Sequence, residues 1–112
     1  MQMVYVSITG LRLKSPLYLP RFWWHATRAM AQAKAAEGNL RAEAKTVAGL
    51  HHTLSVWTDE AAMRAYLTAG AHRRALRAFP AMADGAVLGW ETDQVPGWSD
   101  IPEIWRSRGR RV

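Results

Sequence analysis

No cysteine occurs anywhere in the 112 residues. Disulfides, thiolate chemistry and cysteine-type zinc sites are therefore excluded. Long apolar runs are missing too: no stretch of about 18 consecutive apolar residues exists, so no membrane span is expected. The opening MQMVYVSITG has no basic segment leading into an apolar one and does not read as a signal peptide. A cytoplasmic location is the default expectation. Histidines number four, at 25, 51, 52 and 72, and their scatter makes no metal constellation. His51 and His52 are adjacent, so in a strand they point to opposite faces. No zinc-finger spacing, RNP motif or phosphate loop is present.

Acidic residues are scarce, nine against fifteen lysines and arginines, for a net charge of +6. The excess is unevenly spread. Arg106, Arg108, Arg110 and Arg111 crowd the last seven residues, and Arg73, Arg74 and Arg77 fall on the outer face of one helical segment. This is the pattern of a solvated basic tail, and no specific nucleic-acid partner is expected.

What is present is a chain 49% hydrophobic, enough for one globular core. It is organised around His51–Phe79. Thr53, Ser55 and Trp57 alternate with Leu54 and Val56 as a strand. Thr58-Asp59-Glu60 then starts a helix, with a hydroxyl cap and an acidic first turn suited to the helix dipole. Ala62, Met63, Tyr66 and Leu67 share one face of it, and Gly70 is its stop. A second helical piece carries His72, Ala75, Leu76 and Phe79 at i, i+3, i+4, i+7, which sets an imidazole on the apolar stripe.

Upstream, Val4, Val6 and Ile8 alternate with Tyr5, Ser7, Thr9, Leu11 and Leu13 as a first strand. Pro20 suits the first turn of a helix running to about Glu37, closed by Gly38-Asn39. Residues 40–50, with charges at alternate positions, suit an edge strand, and Ala86–Thr92 is a fourth strand. Pro80 is expected to end or interrupt the helix before it. The order β-α-β-β-α-β implies an α+β, ferredoxin-like sandwich, a four-stranded antiparallel sheet with its helices on one face, over residues 1–94. Residues 95–112 are expected to be an irregular basic tail containing Trp98 and Trp105. The aliphatic sheet face of Val4, Val6, Ile8, Leu54, Val56 and Leu88 would then lie bare. A homodimer packed sheet to sheet is the expected cover.

With that topology and the segment TLSVWTDEAAMRAYLTAGAHRRAL, the chain resembles the dimeric α/β-barrel superfamily. It is most similar to antibiotic-biosynthesis-monooxygenase-type proteins, including small members related to spheroidene monooxygenase. The resemblance covers roughly residues 3–93. It implies a cofactor-independent monooxygenase, oxidising a small aromatic or polyketide-like compound with dioxygen in a pocket between sheet and helices. The heme-degrading branch uses a strand-1 asparagine, a strand-3 tryptophan and a histidine on the next helix. Trp57 matches the tryptophan, Thr9 stands at the asparagine position, Leu76 stands near the histidine position, and His72 lies one turn earlier.

The expected site follows from these placements. His72 and Trp57 are the catalytic candidates, His72 as a proton acceptor and Trp57 as an aromatic platform. Ser7, Thr9, Tyr5, Ser55, Trp23 and Tyr66 are the substrate-binding candidates. Short residues on facing surfaces, Ser7, Thr9 and Ser55 against Ala26, Ala29 and Ala33, leave room for a cavity bounded by Thr9, Trp57 and His72. No cofactor and no metal are expected. Two other readings remain open: a non-catalytic ligand-binding or interaction module, and heme binding with His72 as axial ligand.

Overall fold

The computed structural model describes residues 3–111, with the side chains at 71, 76 and 111 left aside. Leu76, compared above with a heme ligand, therefore lies outside the described side chains. Strand β1 (Val4–Leu13) leads through a 3-10 turn (Pro16–Tyr18) into helix α1 (Leu19–Ala35). Ser15 caps the turn by accepting a hydrogen bond from the Leu17 amide, and Pro20 sits in the first turn of α1, where its missing N–H is not needed.

Strands β2 (Asn39–Val47) and β3 (Leu50–Trp57) form a hairpin closed by Ala48-Gly49. Both turn residues have positive φ, 50° and 80°, as a two-residue turn matched to strand twist requires. Helix α2 (Glu60–Leu67) follows. Its cap is Asp59, whose carboxylate accepts the Ala62 amide at 2.8 Å, rather than the Thr58 hydroxyl. Helix α3 (Gly70–Met82) runs through Pro80 instead of stopping there. Only two residues of helix follow that proline, so little ladder is lost. Strand β4 (Ala83–Thr92) starts three residues earlier than expected.

The sheet order is β2-β3-β1-β4, antiparallel throughout, with the helices α1, α2 and α3 on one face. This is the ferredoxin-like α+β arrangement. Under the helices lies one core of Tyr5, Ala33, Ala42, Trp57 and Met63.

The opposite face departs from expectation. Residues 95–111 are not wholly irregular: they contain helix α4 (Ile101–Arg108) and a short strand β5 (Arg110–Arg111) that pairs with Ala86 and Val87 of β4. Ile101 is fully buried against Val6, Ile8, Leu54 and Val56, with Trp98, Ile104 and Trp105 around them. The aliphatic face is therefore covered by the chain's own C-terminal segment. Trp98 donates its indole N–H to Glu43 Oε1 at 2.7 Å, and Trp105 donates to the Ala86 carbonyl at 2.8 Å. A Cβ on Gly10 would collide with the Trp105 ring, so a glycine at that strand position is what lets the indole lie on the sheet. The alternation of Val6 and Ile8 correctly announced an apolar face needing cover. What it did not announce was that residues 98–105, expected to be irregular, carry the cover on Ile101, Ile104 and two tryptophans.

Candidate functional site

Between the sheet and the helices lies a cavity of about 180 Å³. Its floor is β1, β3 and β4. Ser7 stands opposite Ser55 and Thr9 opposite Thr53 in the β1–β3 register, so two pairs of hydroxyl residues run down the middle. Gly85 and Val87 of β4 complete the floor. The roof is α1 through Phe22, Ala26, Ala29 and Met30, α2 through Met63, Tyr66 and Leu67, and α3 through His72 and Phe79. Volume remains because the α1 side chains over the hydroxyls are alanines. Met30, Tyr66 and Phe79 line the space without filling it.

His72 occupies one end. Its Nδ1 lies 3.2 Å from the Leu67 carbonyl, which can only accept, so Nδ1 carries the proton and Nε2 is the basic nitrogen. Burial pushes the imidazole below its ordinary pKa, partly opposed by the Leu67 carbonyl. The ring packs 4.4 Å from that of Tyr66. Tyr66 in turn packs 5.1 Å from Trp57 and donates its hydroxyl to the Ala29 carbonyl at 2.9 Å. Burial raises the Tyr66 pKa well above the usual phenol value, so it stays neutral and fixed. Gln32 holds the break between α2 and α3. Its Oε1 accepts the His72 amide at 3.0 Å and its Nε2 donates to the Ala69 carbonyl at 2.9 Å.

The other end is aromatic as well. Phe22 lies 5.4 Å from Phe79 and 4.8 Å from His51, tilted 34° and 36°. His51 Nδ1 is 2.9 Å from the Thr46 hydroxyl, and burial, then the neighbouring His52, lowers its pKa. Midway, the Thr9 and Thr53 hydroxyls bond each other.

Of the expected site residues, the cavity brings together Ser7, Thr9, Ser55, Tyr66 and His72. Three stand elsewhere. Trp57 is wholly buried beneath Tyr66 and does not line the cavity; the aromatic face expected from it is supplied by Tyr66. Among the described residues its Nε1 has no partner. Tyr5 belongs to the neighbouring core, its hydroxyl against Gly89. Trp23 is 38% exposed on the outer side of α1, edge-on to Phe22 and His51. Sequence reasoning missed Phe22, Phe79, Thr53 and His51 as cavity wall. The signal for His51 and Thr53 was their parity with Ser55 and Trp57 on β3.

A helix-roofed cavity on a ferredoxin-like sheet defines a class of small α+β proteins, and solved structures share that fold. No protein-family model and no curated protein matches the chain. SnoaB, a cofactor-independent oxygenase from Streptomyces nogalater, matches with a TM-score of 0.69 at 16% identity, over 85% of this chain and 97% of that one. Proposed antibiotic biosynthesis monooxygenases match as well. One from Caulobacter crescentus has a TM-score of 0.69 at 18% identity, over 85% and 92% of the two chains. One from Nitrosomonas europaea has 0.70 at 13%, over 82% and 90%. The fold of this chain is the one shared by these antibiotic-biosynthesis-monooxygenase-like proteins. Among the described residues no helix is long and apolar enough to cross a membrane, and no group of three or more metal-ligating side chains forms.

Proposed function

We propose that the protein is a cofactor-independent monooxygenase acting on a small phenol or enol held in this cavity. The observation that carries the reading is His72: a neutral imidazole with Nδ1 fixed on a carbonyl, leaving Nε2 as the basic nitrogen of an apolar enclosure. Such a group takes the proton of a hydroxyl whose anion is electron-rich. The anion passes one electron to dioxygen, and substrate radical and superoxide join at a ring carbon. The imidazolium returns its proton to the peroxide, and loss of water leaves a carbonyl. The net change is a CH₂ group, reacting as its enol, plus dioxygen giving a C=O group plus water. The Tyr66 face and the alanine roof hold the ring and exclude bulk water. The fold's likeness to SnoaB, a cofactor-independent oxygenase, supports the reading.

The cavity, at about 180 Å³, is only slightly larger than the roughly 150 Å³ engineered site that admits benzene. One or two fused rings suit it. A heme macrocycle does not, so axial ligation by His72 has little support. The non-catalytic alternative is separated by turnover: dioxygen uptake is measured against a panel of phenols and naphthols. Uptake with one class, reduced about 100-fold or more in His72→Leu, is expected. Tight binding of the same compounds without any uptake would leave a binding module.

A further inference from the structure

The cavity holds a second imidazole, and its position relative to His72 restricts what the site takes. On α3, Phe79 follows His72 by seven residues, two helical turns or roughly 10 Å along one face. Phe79 packs on Phe22, and Phe22 on His51. The floor gives the same result independently. His51 and Ser55 share one face of β3, four residues or roughly 13 Å apart. Beyond Ser55 lies Trp57, which carries Tyr66 and then His72 in its stack. His51 and His72 therefore stand at opposite ends of one elongated cavity. Between them the polar groups are few, and the Thr9 and Thr53 hydroxyls satisfy each other. The aromatic pairs at both ends favour a flat ligand.

We propose that the cavity is built for a flat bicyclic aromatic bearing oxygen on two opposite edges, one oxygen meeting His72 and the other meeting His51. This rests on the substrate reading above and adds the chemistry of the far end. Thr46 holds His51 Nδ1 and so orients the ring, leaving Nε2 for the ligand. A ligand with one oxygen forgoes the hydrogen bond at one of the two imidazoles, the half-buried His51 or the more deeply set His72, and loses that bond's affinity.

Anaerobic titration calorimetry with 2,6-dihydroxynaphthalene, 2-naphthol and naphthalene tests this. The diol is expected to bind about tenfold more tightly than 2-naphthol, the worth of one added hydrogen bond. His51→Leu is expected to bring the two within about twofold of each other. Thr46→Val, at an exposed position, is expected to reduce the preference about threefold without threatening the fold. Equal affinity for diol and naphthol in the natural chain, or a preference that survives both variants, would overturn the proposal while leaving the cavity a ligand site. Failure of all three compounds to bind would overturn the substrate reading with it.

Discussion

Tyr66 and His72 face each other at 4.4 Å across the break between α2 and α3, six residues apart in sequence and each tied to the backbone of a different helix. Tyr66 is bonded to α1 through Ala29, and His72 to α2 through Leu67. The break itself, at Thr68–Ala69 before Gly70 with φ 43°, aims the imidazole back over the sheet. One continuous helix would place residues 66 and 72 on different faces.

Gln32 is expected to be a positioning residue for His72. Gln32→Met keeps the length and removes the side-chain hydrogen bonds to Tyr66, Ala69 and His72 at the break. The His72 pKa, followed by NMR, should move up toward its ordinary value as water reaches the ring, with circular dichroism unchanged. An unmoved pKa would reduce Gln32 to a general structural role.

The histidines make stability acid-sensitive. Burial holds His72 and His51 below the imidazole range, so between their folded and unfolded values the unfolded chain binds more protons. Stability is thus greatest above about pH 6.5, the unfolded value, and falls as pH drops toward the folded values. His72→Leu should flatten part of the fall in Tm between pH 7 and pH 5. An equally steep fall in the variant would place the acid sensitivity elsewhere.

Gly10 and Trp105 should be energetically coupled. Gly10→Ala forces the indole off the sheet and is expected to destabilise by about 1–3 kcal/mol, an overpacking effect. In a Trp105→Ala background that cost should largely vanish, giving a coupling energy of about 1–2 kcal/mol in denaturant titrations. Additive effects would mean that the indole is not seated there in solution.

Truncation after Gln94 removes Trp98, Ile101, Ile104 and Trp105 and uncovers Val6, Ile8, Leu54 and Val56. The shortened chain should self-associate, read as a rise in sedimentation coefficient at micromolar concentration, whereas Val56→Lys in the same background should suppress it. Sheet-to-sheet pairing of the full chain requires α4 to move aside. Unchanged sedimentation after truncation would show that the face needs no cover.

Much of this was legible in the chain itself. The alternation in β1 and β3 placed Ser7, Thr9 and Ser55 on the helix side, and i, i+3, i+4, i+7 spacing turned His72 inward. Periodicity assigns a face but not a depth along it, which is why Trp57, on the correct face, proved to lie beneath Tyr66 instead of beside the cavity. Likewise Tyr5 shares parity with Ser7 but pairs with Trp57 at the sheet's end, where the core closes. The C-terminal helix was hidden because its three apolar residues, Ile101, Ile104 and Trp105, fall in a short stretch that opens after Pro96-Gly97 and runs into the arginines at 106, 108, 110 and 111.

The most direct test is the ¹⁵N resonance of His72 Nε2 during anaerobic titration with 2-naphthol, where binding is separated from turnover. The expected result is a saturable shift of that resonance toward the hydrogen-bonded or protonated range, with Nδ1 unmoved on its Leu67 carbonyl. A ligand that saturates the protein while leaving His72 Nε2 unperturbed would contradict a site built around that nitrogen.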